Sequence, residues 1–128
     1  MSVVTLAPGI AKINLVFKQG AGAKILLTVV DSAGQPIMDP SGCRVRASIK
    51  NITELFLWDT ADPSSDGVVS LTYSSVTNKS VLVLSVSGSQ TAGFNFWSAR
   101  WDCFLTMPGH EPSCLAEGSV GVDPATTI

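Results

Sequence analysis

The sequence predicts one all-β domain folded as an antiparallel β-sandwich, and three observations carry that prediction. Several segments alternate apolar and polar side chains with a period of two, the pattern of strands with one face in a core. Glycine, proline and pairs such as Asp66-Gly67 and Pro108-Gly109 separate these segments at short intervals. No segment carries an apolar stripe at helical spacing over a useful length. A length of 128 residues matches a single domain, and 45% apolar residues can build its core, which argues against disorder. Charged residues make up only 14%, with a net charge of −2, so the clustered basic face of a nucleic-acid binder is missing.

The strands follow in order. In 11–18, Ile13, Leu15 and Phe17 fall on one face while Lys12, Asn14 and Lys18 fall on the other. In 24–30, Ile25, Leu27 and Val29 point inward, with Leu26 and Val30 on the opposite side. The cleanest alternation is 43–50, where Cys43, Val45, Ala47 and Ile49 interleave with Arg44, Arg46, Ser48 and Lys50. A short apolar strand at 54–58 precedes a polar loop to Gly67, and strands at 68–73 and 81–87 follow, the second with Leu82, Leu84 and Val86 inward. Strands at 97–106 and 114–122 close the chain, for about eight in all, with short flexible termini expected near 1–8 and 123–128.

The turns carry their own chemistry. Asp31-Ser-Ala-Gly34 supplies a carboxylate that can bond its own backbone and a glycine tolerant of positive φ. Pro108-Gly109 suits the central positions of a type II turn. Ser87-Gly-Ser-Gln-Thr-Ala-Gly93 has room for one helical turn capped by a hydroxyl.

The N-terminus lacks a basic region followed by a long apolar stretch, so no signal peptide is expected. The apolar runs fall far short of the ~20 residues that span a bilayer. Cys43, Cys103 and Cys114 form an odd set without metal-like spacing. Buried free thiols are the expectation, with a Cys103–Cys114 bridge as the alternative under oxidising conditions.

Nothing in the sequence assembles a catalytic constellation. The single histidine, His110, sits in an exposed turn, away from any nucleophile–base arrangement. Asp59, Asp62 and Asp66 share one loop, but their spacing fits no standard calcium loop. No cofactor, metal or small-molecule substrate is expected. The aromatics say more: Trp97 and Trp101 share one parity of a strand that continues through Cys103 and Leu105, which makes that face core and turns Phe104 the other way. The expected core therefore includes Ile13, Leu15, Phe17, Val45, Ile49, Leu84, Trp101, Leu105 and Val120. Candidate contact residues are Leu26, Val30, Arg44, Arg46, Trp58 and Phe104, because aromatic, apolar and arginine side chains facing away from a core suit a protein partner. The stripe of Arg44, Arg46 and Lys50 could also meet an acidic neighbour in an assembly.

The order of elements adds a resemblance. Phe17-Lys-Gln-Gly20 leads through Asp31-Ser-Ala-Gly-Gln-Pro-Ile-Met-Asp39-Pro-Ser-Gly42 into Cys43-Arg-Val-Arg-Ala-Ser-Ile-Lys50. The chain then closes with Trp101-Asp-Cys-Phe-Leu-Thr106, a Pro-Gly turn and Gly118-Ser-Val-Gly-Val122-Asp-Pro. This order resembles the small β-sandwich domains of tailed-bacteriophage virions, among them the amino-terminal domain of baseplate upper proteins and the LtfC-like domain of tail-associated proteins.

The resemblance implies an immunoglobulin-like sandwich of about 7–9 strands without ligand. It also implies Trp101 in an aromatic core, Asp102 hydrogen-bonding near the final hairpin, and Gly118 where strands approach closely. Cys103 departs from the larger aliphatic residue of the pattern. The function implied is a non-enzymatic virion component, a minor tail or baseplate protein folded in the host cytoplasm. It would dock in several copies, or as a homo-oligomer, onto other virion proteins, without nucleic acid or membrane. Capsid decoration is the structural alternative. A carbohydrate-binding module, which would expose Trp58 or Trp97, is the alternative from another class.

Overall fold

The computed structural model describes residues 2–5 and 10–124 and shows an all-β sandwich of two sheets. Its elements are β1 (Ser2–Thr5), β2 (Ala11–Lys12), β3 (Leu15–Lys18), β4 (Ala23–Val30), β5 (Arg44–Lys50), β6 (Glu54–Asp59), β7 (Val68–Ser74), β8 (Lys79–Val86), α1 (Gly88–Ala92), β9 (Ser98–Thr106) and β10 (Ser113–Asp123). One sheet runs β1-β4-β8-β7; the other runs β2-β10-β9-β5-β6, with β3 also on β10. Every strand expected from alternation is present within one or two residues of its expected ends, apart from the first.

That first segment, 11–18, is split into β2 and β3, and the physical cause lies in Trp101. Its indole N–H donates to the Ile13 carbonyl at 2.7 Å, taking the main chain out of the ladder. The Ile13 N–H still reaches Glu117 O at 2.9 Å, and the Asn14 side-chain oxygen accepts from the Ser119 N–H at 3.1 Å. Gly118 makes this crossing possible, because a Cβ there would overlap the Ile13 carbonyl. Trp101 in the core and Gly118 at a close approach thus match what the motif resemblance implied.

Two further features depart from a purely antiparallel sandwich. β1 pairs in parallel with β4, and β2 and β3 pair in parallel with β10. The flexible ends expected near 1–8 and 123–128 therefore include paired residues, Ser2–Thr5 in β1 and Asp123 opposite Lys18. Residues 1, 6–9 and 125–128 lie outside the described residues.

The core forms between the inner faces of the two sheets. Leu27 and Val29 of β4 and Leu82, Leu84 and Val86 of β8 come from one sheet. Val45, Ala47, Ile49, Phe56, Trp58, Trp101, Cys103, Leu105 and Val120 come from the other. Phe17 is buried as expected, whereas Ile13 and Leu15 are only half-buried and pack on the rim of the core, as edge strands require. Phe94 joins the aromatic end of this core, with ring centroids 5.6 Å from both Phe17 and Phe56 in edge-to-face geometry.

The single helical turn fastens that end. Ser87 and Gln90 form a reciprocal capping box. Buried Thr91 donates to Ala21 O at 2.9 Å and accepts from the Gly20 N–H at 3.1 Å. Gln90 Nε2 donates to Asp66 O at 2.6 Å, so one short helix ties together two loops. At the opposite end, Asp31 Oδ1 accepts from the Ala33 and Gln35 N–H groups at 2.9 Å, and Gly34 takes φ +80°, as its turn chemistry predicted. Gly67 has a different reason from the one its Asp-Gly pair suggested: a side chain there would overlap the Trp58 indole.

Candidate docking surface

Arg44, Arg46, Ser48 and Lys50 share the outward side of β5, with Ser48 itself covered, so β5 gives that sheet's outer face a polar row by the pleat alone. The register places Arg44 opposite Thr106, Arg46 opposite Phe104, Ser48 opposite Asp102 and Lys50 opposite Arg100 of β9. Phe104 is 36% exposed in the middle of this face. It lines a shallow depression of about 300 Å³ with Arg44, Arg46, Lys50, Asp102 and Pro112. The structure therefore brings together three of the candidate contact residues, Arg44, Arg46 and Phe104.

The arginines are not waiting for an acidic neighbour, as their stripe suggested. Arg44 donates to both Asp59 oxygens, Nε at 3.1 Å and Nη2 at 2.7 Å, the fork geometry that suits a carboxylate. Arg46 adds contacts to Asp59 at 3.5 Å and Glu54 at 3.3 Å. Asp59 also accepts from the Ala61 N–H at 2.9 Å, and only 4% of the residue is exposed. The Arg44 hydrogen bonds outweigh burial and hold the Asp59 carboxyl below its ordinary range, while they raise Arg44. The sequence reading missed this pairing because Asp59 lies across a hairpin, directly opposite Arg46.

The other two contact candidates that stay accessible, Leu26 and Val30, lie on the opposite sheet. β4 is hydrogen-bonded between β1 and β8, so its apolar character on both sides is that of a central strand. Leu26 remains 38% exposed and Val30 half-buried, with Val83 directly across from Leu26.

Trp58 is corrected outright. It is fully buried, its indole N–H donates to Ser85 O at 2.8 Å, and it packs edge-on to Phe56. The inward parity of β6, with Ala47 opposite Trp58, decides this. Trp97 is corrected in the other direction: β9 begins at Ser98, so Trp97 escapes the parity it was expected to share with Trp101 and is 80% exposed. It borders a depression of about 250 Å³ with Gln19, Phe94, Asn95, Phe96, Val122 and Pro124.

The ionisable groups elsewhere serve the fold. His110 is exposed in its turn, with Nδ1 2.9 Å from Pro108 O, while Gly109 takes φ +75°. Asp62 Oδ1 accepts from Ser64, and Asp66 Oδ2 accepts from the Leu57 N–H at 2.9 Å. Asp59, Asp62 and Asp66 thus turn to separate partners, and among the described residues no three His, Cys, Asp or Glu side chains converge on a metal position. All three cysteines are free thiols. Cys103 points into the core, where burial pushes its thiol up to about 12, and Ala116 rather than Cys114 is its cross-strand neighbour. Asp102 faces the final hairpin opposite Glu117 but makes no side-chain hydrogen bond to another described residue, contrary to the expectation from the motif.

No family model matches the chain, and no curated protein matches it. Among solved structures, the N-terminal domain of phage TP901-1 ORF48 is similar in fold. It has 10% sequence identity and a TM-score of 0.49, with 96% of this chain and 99% of that chain covered. No helix among the described residues is long and apolar enough to cross a membrane.

Proposed function

We propose that this chain is a non-enzymatic structural protein of a bacteriophage virion, a minor tail or baseplate component that docks on other virion proteins in several copies. The observation that carries the docking part is where the accessible apolar groups sit. Leu26 lies on the open face of one sheet and Phe104 on the open face of the other, so one rigid body offers contacts in two directions. Asp59, Asp62 and Asp66 each accept from separate arginine, serine or backbone partners, which favours a scaffold over a reactive site. The virion part rests on the ordered motifs from Phe17 to Pro124. The strand order supports the immunoglobulin-like description, since β4-β8-β7 and β10-β9-β5-β6 follow the order B-E-D and G-F-C-C′ of such sandwiches, while β1, parallel to β4, departs from it. Several copies on a symmetric particle would turn modest contacts into firm attachment.

Gold-labelled antibody microscopy on intact particles tests this reading. Label at the tail or its tip is the expected result. Label over the head would move the protein to capsid decoration, and protein found only in lysate, never on particles, would overturn the virion role. One observation favours a second reading, a carbohydrate-binding module: Trp97 is 80% exposed beside a depression that includes Asn95. That reading requires tryptophan fluorescence to change when host cell-wall glycans are added, and to stop changing in Trp97→Ala.

A further inference from the structure

On the outer face of the larger sheet, β9 turns Arg100 and Asp102 outward, two residues or about 7 Å apart along the strand. The register sets Lys50 of β5 directly opposite Arg100, and Glu117 of β10 directly opposite Asp102. Two cations therefore stand side by side, next to two anions side by side. Like charges directly opposed across strands destabilise a sheet. Glu117 is relieved of that cost by Lys12 and by Arg100, which hold its carboxyl below the ordinary range, while Lys50 and Arg100 face each other with no carboxylate ion-paired to either. The rest of the face is built differently: Arg44 and Arg46 find Asp59 and Glu54, and Lys12 pairs with Glu117. Lys50, Arg100 and Asp102 make no ion pair or side-chain hydrogen bond with another described residue. Together with Ser48, Asn51 and Ser98 they line a depression of about 460 Å³.

We propose that this face is where a second copy of the chain docks, β9 against β9, around a two-fold axis lying in the contact plane and crossing the strand at Trp101. The Arg100–Asp102 pair is its own complement under that operation. The axis carries Arg100 over the partner's Asp102 and Asp102 over the partner's Arg100, as an isologous contact requires. The same axis carries Lys50 over the partner's Ser48, next to the partner's Asp102, and Phe104 over the partner's Ser98. Arg100 and Asp102, which have no ion-pair partner among the described residues of one copy, then neutralise each other between copies. The inference deepens the docking reading by naming one partner, and its test is made in solution, apart from any particle.

Sedimentation equilibrium of the full chain at low salt, from micromolar to millimolar concentration, reads the outcome. The expected result is a mass that rises toward twice the monomer value and falls back when salt screens the pairs. Arg100→Asp and Asp102→Arg, each alone, should remain monomeric with unchanged circular dichroism. An equimolar mixture of the two variants should form a heterodimer, because every facing pair is again of opposite sign, and the double variant should recover the homodimer. Wild-type protein that stays monomeric throughout would overturn the proposal and leave the face to a different ligand. So would a dimer indifferent to both single variants, or single variants that fail to recombine. A dimer that passes these tests while gold label finds no particle would refute the virion role and leave this inference standing.

Discussion

Gly118→Ala offers a sharp perturbation of the fold. The added methyl group would overlap the Ile13 carbonyl, which belongs to backbone and cannot rotate away. Relief requires the strand 11–18 to retreat from β10. That movement puts three hydrogen bonds at risk: Trp101 Nε1 to Ile13 O, Ile13 N to Glu117 O, and Ser119 N to Asn14 Oδ1. At roughly 1 kcal/mol net for each bond, the loss is about 3 kcal/mol. Stiffening the unfolded chain returns only about 0.4–1 kcal/mol. The net cost of about 2–3 kcal/mol corresponds to a fall in Tm of roughly 8–12 °C for a domain of this size. Gly121→Ala, three residues along the same strand, is the control: its Cβ meets nothing within 4 Å, so Tm should hold or rise slightly. Calorimetry on the two variants decides the matter. Equal Tm values would refute the claim that Gly118 is present for the Ile13 crossing.

Two further predictions concern ionisation. Asp59 has its carboxyl held low in the folded state by Arg44, so its contribution is present above the ordinary carboxylate range and is lost as pH falls through the lowered folded value. Asp59→Asn should therefore cost about 1–3 kcal/mol at neutral pH, and urea melts repeated in acid should show that cost shrinking toward zero; a pH-independent cost would contradict the Arg44 assignment. Cys103, fully buried and raised to about 12, should resist a thiol reagent at pH 8 until the protein unfolds. Mass spectrometry of native labelling that found Cys103 modified as fast as the half-buried Cys43 and Cys114 would show that the β9–β10 hairpin opens far more readily than its packing implies.

The sequence by itself determined most of the strands and the core face of those that alternate clearly, but not β1, the break in 11–18 or the inward side of β6 at Trp58. Alternation is a local property of the pleat, so Val45, Ile49, Leu84, Leu105 and Val120 could be assigned without knowing what they touch. The turns were legible for the same reason, since Asp31-Ser-Ala-Gly34, Pro108-Gly109 and the Ser87 cap each act within a few residues. Only the tertiary structure decided the contacts between residues far apart in the chain. Parity failed at Trp97 because the strand's first residue, Ser98, is set by pairing with Gly121 of β10. The break at Ile13 depends on an indole 88 residues away. The engagement of Arg44 and Arg46 by Asp59, and the like-charge rows at Arg100 and Asp102, depend on the register of neighbouring strands. Periodicity fixes a side chain's face, but register chooses its neighbours, and register is settled only when the two sheets close on their common core.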